Sequence, residues 1–551
     1  MKRVFWQLLT RKQSSIGSAA LVLALMVLAS RFLGLIRDRL LAARFSPEEL
    51  GVYFAAFRLP NLLFELLVMG AFTSAFIPVF TRFLTQNKED DAWRMAASII
   101  NISLLLLAFL AVPLFIWTEG VSRMFAPGFS DEQIKLMAQF TRVILVLQVA
   151  PLLVGNFFTG ILQSFKSFLV PALAPVLYNI GILLGIVFLS SSYGLFAPVI
   201  GIGIGAILFM VIQIPVLFAI GYRHLFVVDF HHRGVRDVFK LMGPRTLGLA
   251  ASQIDTTVDL ILASLLGAKM VTIFNFASHL QQLPVGLFGA TIAQAALPSL
   301  SISAAKDERE ELKRAIVTST NQILFFVLPI SVLFIVLRIP VVRLVFGAER
   351  FDWEATVLTG MTLSMFSISL FAQAVIHLLA RAFYALYDSR TPVLVAIGSI
   401  VVNTTLSVVF IQGVHLPIWS LGISTSVASI MQVVILFCFL DKRLETFSRR
   451  DLFVPILKMG VAALLSGVVI YIPMKLLDQL VFDTTRTFGL ILLTGSTATM
   501  GLFVYFFLSW VMGVGEVRSF FAMIRRVRRV STILLEPARE VIDGGSQDKV
   551  Q

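Results

Sequence analysis

A single cysteine, Cys438, in 551 residues leaves no disulfide framework and no thiolate metal site open to this chain. Charge is scarce too. Asp, Glu, Lys and Arg make up 14 % of the residues, against about 25 % in soluble domains, while hydrophobic residues reach 58 %. With a mean hydropathy of +0.89, the chain is too apolar to fold in water and reads as a polytopic membrane protein. Also missing are the G-x-x-x-x-G-K-[ST] loop, H-E-x-x-H and C-x-x-C, which argues against an ATPase or a metalloenzyme. The GIGIG at 201–205 lies inside an apolar run and points to close helix packing. His231 and His232 stand in a basic loop as solvated side chains rather than metal ligands. No catalytic constellation, cofactor or metal site is implied.

What the chain does contain is apolar runs. Stretches of about 20 residues predict an all-α protein with about fourteen membrane spans: an interfacial segment 1–16, spans one to six over 17–221, a basic linker 222–242, spans seven to twelve over 243–440, spans thirteen and fourteen over 453–512, and a basic tail 513–551. The N-terminal run continues through Arg31 without a small-residue cleavage site, so it reads as retained. The net charge of +13 is first a topology signal. Lys and Arg concentrate after even-numbered spans, as at Arg82, Lys88 and Arg94, and at Arg233, Arg236 and Lys240, which places both termini in the cytoplasm. The loop around Arg343 and Arg350 is the main exception. In the tail, Arg525, Arg526, Arg528 and Arg529 alternate with Phe520, Phe521 and Ile524, a pattern suited either to an anionic leaflet or to solvent.

Proline spacing reveals an internal repeat. Pro60 and Pro284 are 224 positions apart, Pro78 and Pro298 220, and Pro171 and Pro392 221. Six spans separate the copies, so both halves keep one orientation, as in a parallel repeat. The plan is two six-helix lobes plus two C-terminal helices.

Ionised groups sit where a bilayer core should be. Each costs at least about 2.5 to 3.5 kcal/mol there on insertion scales, and such groups normally face a partner or a wet cavity. In span one, Ser30, Arg31, Gly34, Arg37 and Asp38 share a sector of about 120°. In span two, Arg58, Asn61 and Glu65 share a face. Their repeat counterparts carry Arg245, Gly248, Ser252, Asp255 and Asp259 in span seven, and Asn275, Ser278, His279 and Gln282 in span eight. Substrate sites of repeat transporters lie at the repeat interface, so these four spans should line one cavity. Arg31, Arg37, Arg58, Ser30, Asn61, His279 and Gln282 are the candidate contacts for an anionic headgroup. Arg31 and Arg58 face that cavity or pair with Asp38 or Glu65, while Arg37 and Arg39 lie close enough to the outer interface to snorkel. Asp255 and Asp259 either pair the arginines or bind a coupling cation, Na or H, with Asn403, Ser407 and Thr425. Pro60, Gly70, Pro78, Pro284, Gly289 and Pro298 interrupt spans two and eight and are hinge candidates.

The text SRFLGLIRD at 30–38, FAAFRLPNLL at 54–63, GAFTSAFIPVF at 70–80, QLPVGLFGATIAQAALPSLS at 282–301 and RAFYALYDSRTPV at 381–393 resembles the MurJ/MviN family of lipid II flippases. This family belongs to the multidrug/oligosaccharidyl-lipid/polysaccharide exporter superfamily. The resemblance implies two lobes around a central cavity, a groove at spans thirteen and fourteen for a polyprenyl tail, and arginines that hold a pyrophosphate. It also implies a bacterial inner membrane location and a polyprenyl-linked lipid substrate, with the protein working as a monomer or beside cell-wall synthesis proteins. Arg31 and Arg37 match two family arginines. The chain departs from the pattern at Gly51, at Phe64 and Glu65, at Met69 and at His279, where the family has acidic, basic, acidic and basic residues respectively. Against lipid II flipping stand export of another polyprenyl-linked glycan, cation-coupled drug export, and a non-transport scaffold for cell-wall assembly.

Overall fold

The computed structural model describes residues 16–69, 72–445, 447–483, 486–518 and 520. The segment 1–15, Gly70 among the hinge candidates, and the arginine run of the tail lie outside the described residues. Every regular element among the described residues is helical. We number the long helices α1 (Ile16–Arg44), α2 (Pro47–Leu67, resumed by Phe72–Thr85), α3 (Glu89–Ile116), α4 (Asp131–Ser164), α5 (Leu169–Tyr193), α6 (Phe196–Ala219) and α7 (Arg233–Leu265). These are followed by α8 (Ala268–Ala305), α9 (Arg309–Val336), α10 (Trp353–Ser367 and Leu370–Ala385, bent by 45°), α11 (Arg390–Gly413), α12 (Ser420–Arg443), α13 (Arg449–Leu480) and α14 (Thr487–Val511). Eleven of them are long and apolar enough to cross a membrane, and α10 makes twelve if its two bent segments form one span. Helices α1 and α7 are not among these, so eleven or twelve of the expected fourteen or so spans are found among the described residues. Those two helices are 29 and 33 residues long and carry charge inside. The expected linker 222–242 is shorter than predicted, because α7 begins at Arg233. A basic amphipathic turn reads as loop in sequence, but here it packs as helix, with Gly234 against Phe83 and Met95 and Asp237 paired to Arg82 at 2.5 Å.

The repeat recurs in the backbone. Left-handed turn residues fall at Asn87 and Asp307, Lys166 and Tyr387, Gly194 and His415, and Gly221 and Glu445, each pair 220 to 224 positions apart. Wide π-helical turns at Glu65–Met69 and Val285–Ala290 interrupt α2 and α8 at matching places. Prolines in these helices free a carbonyl four residues back, and partners take it up. Thr141 Oγ1 donates to the Ala56 carbonyl below Pro60 at 3.1 Å. Tyr505 Oη of α14 donates to the Phe325 carbonyl below Pro329 at 3.0 Å.

Packing divides the molecule along its length. At one end, a core of first-lobe residues such as Phe76, Phe80, Ile99 and Phe157 takes in from the second lobe only the start of α7, at Val235 and Val238, while a separate core built on Leu300, Phe325, Leu378 and Phe383 belongs to the second lobe and to α13 and α14. At the other end, where α1 turns into α2 and α7 into α8, one core takes residues from both lobes, among them Leu41, Tyr53, Val271 and Phe276. There the backbones nearly touch. A Cβ on Gly51 would fall onto the backbone of Ala268, and Thr272 Oγ1 donates to the Pro47 carbonyl at 2.6 Å. The missing side chain at Gly51 is therefore what lets the lobes close. In α5 and α6, Gly181 abuts Gly205 and Gly185 abuts Gly201, so the GIGIG run is a helix-packing surface, as read from sequence.

Candidate functional site

Between the lobes, below the shared core, lies a chamber of about 500 Å³. Its polar lining comes from Arg37 of α1, Tyr53, Arg58, Asn61 and Glu65 of α2, Gln148 of α4, Tyr178 of α5, Thr256 of α7, and Asn275 and His279 of α8. The four expected helices line it, and so do α4 and α5. Those two were missed because they reach the chamber with uncharged groups, Gln148 Nε2 donating to Tyr178 Oη at 3.3 Å. A lone amide in the apolar run VILVLQVAP was the available signal. The spacing of Arg58, Asn61 and Glu65 does place all three on the chamber.

Arg37 is held by a buried acid. Asp38, 2 % exposed, accepts at Oδ1 from Arg37 Nε at 3.0 Å and Nη2 at 2.9 Å. Its Oδ2 stands 2.8 Å from His279 Nδ1. With Asp38 ionised, its carboxylate only accepts hydrogen bonds, and His279 Nδ1 is then the donor in this contact. The acid on α1 thereby ties itself to α8 of the opposite lobe, and Phe54 closes over the imidazole edge-on at 6.0 Å. Arg37 Nη1 also reaches Asn179 Oδ1 at 3.4 Å.

Arg58 is held by neutral groups. Its Nε donates to Thr257 Oγ1 at 2.9 Å and its Nη2 to Gln253 Oε1 at 2.8 Å and to the Gln253 carbonyl. The amide nitrogen of the same Gln253 donates to Glu65. Gln253 therefore sits between an arginine and a glutamate seven residues apart on α2, and keeps them from pairing directly. Gln253 and Thr257 were not singled out in the sequence, because uncharged side chains on α7 carry no signal beside two aspartates.

Three expected headgroup contacts stand outside the chamber lining. Six residues rotate a helix by about 600°, which sets Arg31 about 120° from Arg37, at the far edge of their sector. Arg31 lies instead on the bare face of Gly286 and donates to the Gln282 carbonyl at 3.3 Å. Ser30 Oγ accepts from Asn179 Nδ2 at 3.0 Å, and Gln282 Nε2 donates to Ser278 at 3.0 Å. The expected pairs of Arg31 with Asp38 or Glu65 do not form, since Asp38 takes Arg37 and His279, and Glu65 takes Gln253.

Asp255 and Asp259 face away from the chamber arginines. Asp255 Oδ1 accepts from Asn403 Nδ2 of α11 at 2.9 Å. Asp259 is 7 % exposed, and its Oδ1 and the Oδ1 of Asn403 are buried without a hydrogen-bond partner. Ser407 bonds Ser424 at 2.6 Å instead, and Thr425 bonds the Leu421 carbonyl. Among the hinge candidates, Pro284 ends the straight part of α8 at its π turn. Gly289 is pressed against Ala374 of α10, a close-packing role, whereas Pro78 and Pro298 lie within continuous helix.

A family model described as lipid II flippase MurJ matches residues 48–514. The lipid II flippase MurJ of Burkholderia cenocepacia is 27 % identical over 433 residues, 77 % of this chain and 84 % of that protein. The probable lipid II flippase MurJ of Buchnera aphidicola subsp. Acyrthosiphon pisum is 26 % identical over 463 residues, 83 % and 89 % of the two chains. A solved lipid II flippase MurJ in an inward closed conformation superposes with a TM-score of 0.75 at 25 % identity, over 89 % of this chain and 98 % of that one. An inward-facing MATE family multidrug transporter shares the fold, with a TM-score of 0.62 at 16 % identity over 75 % and 94 %.

Proposed function

This chain belongs to the lipid II flippase MurJ family, and from that premise we propose that it carries undecaprenyl-pyrophosphate-linked peptidoglycan precursor from the inner to the outer leaflet by alternating access. Both termini are then cytoplasmic, and the shared core around Gly51 and Ala268 is the closed outer gate. The observation that carries this reading is the chamber between the repeats, with Arg37 and Arg58 in its wall. A pyrophosphate leaves water only where its charge is met, and forked guanidinium donors fit its oxygens. Arg58 can turn to it readily, since its present acceptors are an amide, a hydroxyl and a carbonyl rather than a bound carboxylate. Arg37 is positioned by Asp38. The chamber is small for a disaccharide pentapeptide, so loading requires the lobes to part at the inner end, where each has its own core apart from the start of α7, which packs on the first lobe.

The prenyl chain gains about 0.8 kcal/mol per buried methylene by staying in lipid or an apolar groove. Helices α13 and α14, with Leu464, Val468, Ile472 and Phe503 outward, are our assignment for that groove. The chain has no ATP loop, so the drive is the membrane potential or an ion gradient. The half-buried carboxylate of Asp255 and the buried one of Asp259, beside Asn403, are our assignment for the coupling seat: uncompensated charge is too costly there, and a proton or Na ion balances it. Substrate, energy source and the working unit, which we take as a monomer serving cell-wall synthesis, are tested together. The full chain in liposomes with lipid II in the inner-equivalent leaflet should move headgroup outward under an imposed potential or cation gradient. A reconstituted, folded protein that moves none under any gradient overturns the reading.

A further inference from the structure

A second cationic cavity, of about 660 Å³, lies at the end of α1 where the lobes meet. Arg39 and Arg44 of α1, Ser190 and Ser191 at the end of α5, and Glu349 and Arg350 in the loop before α10 line it. Arg39 is two residues from Arg37, so it points about 200° round the helix, away from the chamber. The loop of Arg350 is the one that breaks the charge bias used to orient the spans. Arg343, on the short helix Arg338–Phe346 before that loop, lies over the Trp353 ring at 5.7 Å, whereas Arg350 lines the cavity. Arg39 donates to the Leu344 carbonyl. Among the described residues, none of the three arginines is ion-paired to a carboxylate, and Glu349 offsets one charge of three.

We propose that this cavity binds a phosphate-class anion at the outer surface, with Arg39, Arg44 and Arg350 as its donors and Ser190 and Ser191 as hydroxyl partners. Three guanidinium groups around one cavity with a single carboxylate, next to hydroxyls, match phosphate oxygens that accept several charge-assisted bonds at once. The anion is either the phosphodiester of an anionic phospholipid or the diphosphate of a polyprenyl product on release. Because the walls come from α1, α5 and a loop of the second lobe, the bound anion bridges both lobes. It stabilises the state in which this end is shut and shifts the population toward it. The assignment of this end to the outer surface rests on the proposed orientation, whereas the binding itself does not.

The test uses the full chain in nanodiscs. Three samples contain phosphatidylcholine alone, phosphatidylglycerol, or phosphatidylcholine with undecaprenyl diphosphate, and retained lipid is read by native mass spectrometry and by the shift in melting temperature. In the R44Q/R350Q variant, retention of an anionic lipid should fall at least about tenfold, and R44K/R350K should keep most of it. Loss confined to phosphatidylglycerol identifies a phospholipid headgroup, and loss confined to undecaprenyl diphosphate identifies the product. Arg58→Gln, in the chamber, should leave the phosphatidylglycerol signal unchanged. If R44Q/R350Q retains both anionic lipids as the parent does, or if only Arg58→Gln lowers retention, the outer site does not exist. Flux by the parent protein would be unaffected by that result.

Discussion

Helix α7 has two faces, and they do opposite things. One, with Gln253, Thr256, Thr257 and Leu260, turns to the chamber and offers neutral acceptors to Arg58. The other, about 100 to 140° round the helix, carries Asp255 and Asp259 against Asn403 of α11. A carboxylate on the first face would pin Arg58, whereas on the second face the carboxylates leave the chamber's positive charge untouched. Under the function proposed above, a single helix would touch the anionic cargo on one side and the coupling charge on the other, so that a small rotation or bend of α7 would reach both.

The largest expected effect comes from the chamber face. Arg58→Gln should cut headgroup flux in liposomes by about 10- to 100-fold, the worth of one or two charge-assisted contacts, while the response to the imposed gradient keeps its form. If flux is unchanged, Arg58 is not a headgroup ligand. On the opposite face, Asp259→Asn should invert the pattern. Flux under a fixed gradient changes by only about threefold, but its dependence on the driving cation or pH disappears, because a neutral amide needs no compensating charge. An unaltered gradient dependence would assign the pair a structural role only. Gln253→Ala probes the chamber face from its neutral side. It strips Arg58 and Glu65 of their shared partner, lets them pair directly, and should lower flux by about three- to tenfold, with Arg58→Gln adding less in the double variant than alone. Full additivity in that cycle would show that Gln253 does not act through Arg58. Smallest is Asn403→Ala, which removes one hydrogen bond to Asp255 and should cost about 1 kcal/mol, read as a lower melting temperature at nearly unchanged flux.

The chamber was half legible in the sequence. Arg58, Asn61 and Glu65 could be placed because the helical period fixes which residues share a face, and a charge in an apolar run must find a partner. The same rule set Arg31 beside Arg37, yet a 120° sector is wide enough for its two edges to meet different neighbours. Gly286 takes Arg31, and Asp38 with His279 takes Arg37. Gln148, Tyr178, Gln253 and Thr257 stayed hidden because uncharged polar residues are common in membrane helices and become a site only by convergence. His279 and Gly51 looked like departures from the family pattern. In the fold, one closes a bond across the lobes and the other removes the side chain that would hold them apart.

Hydropathy, proline spacing and motif content are properties of the chain read in order, and they are enough to show a helical, membrane-embedded, duplicated chain without a nucleotide loop. Which ionised groups face the chamber, which face each other and which face a second cavity emerges only once the helices are packed. The physical reason is that the energy of a buried charge depends on what lies within a few ångströms, and for Arg37, Arg58, Asp259 and Arg350 those neighbours come from helices distant in the chain.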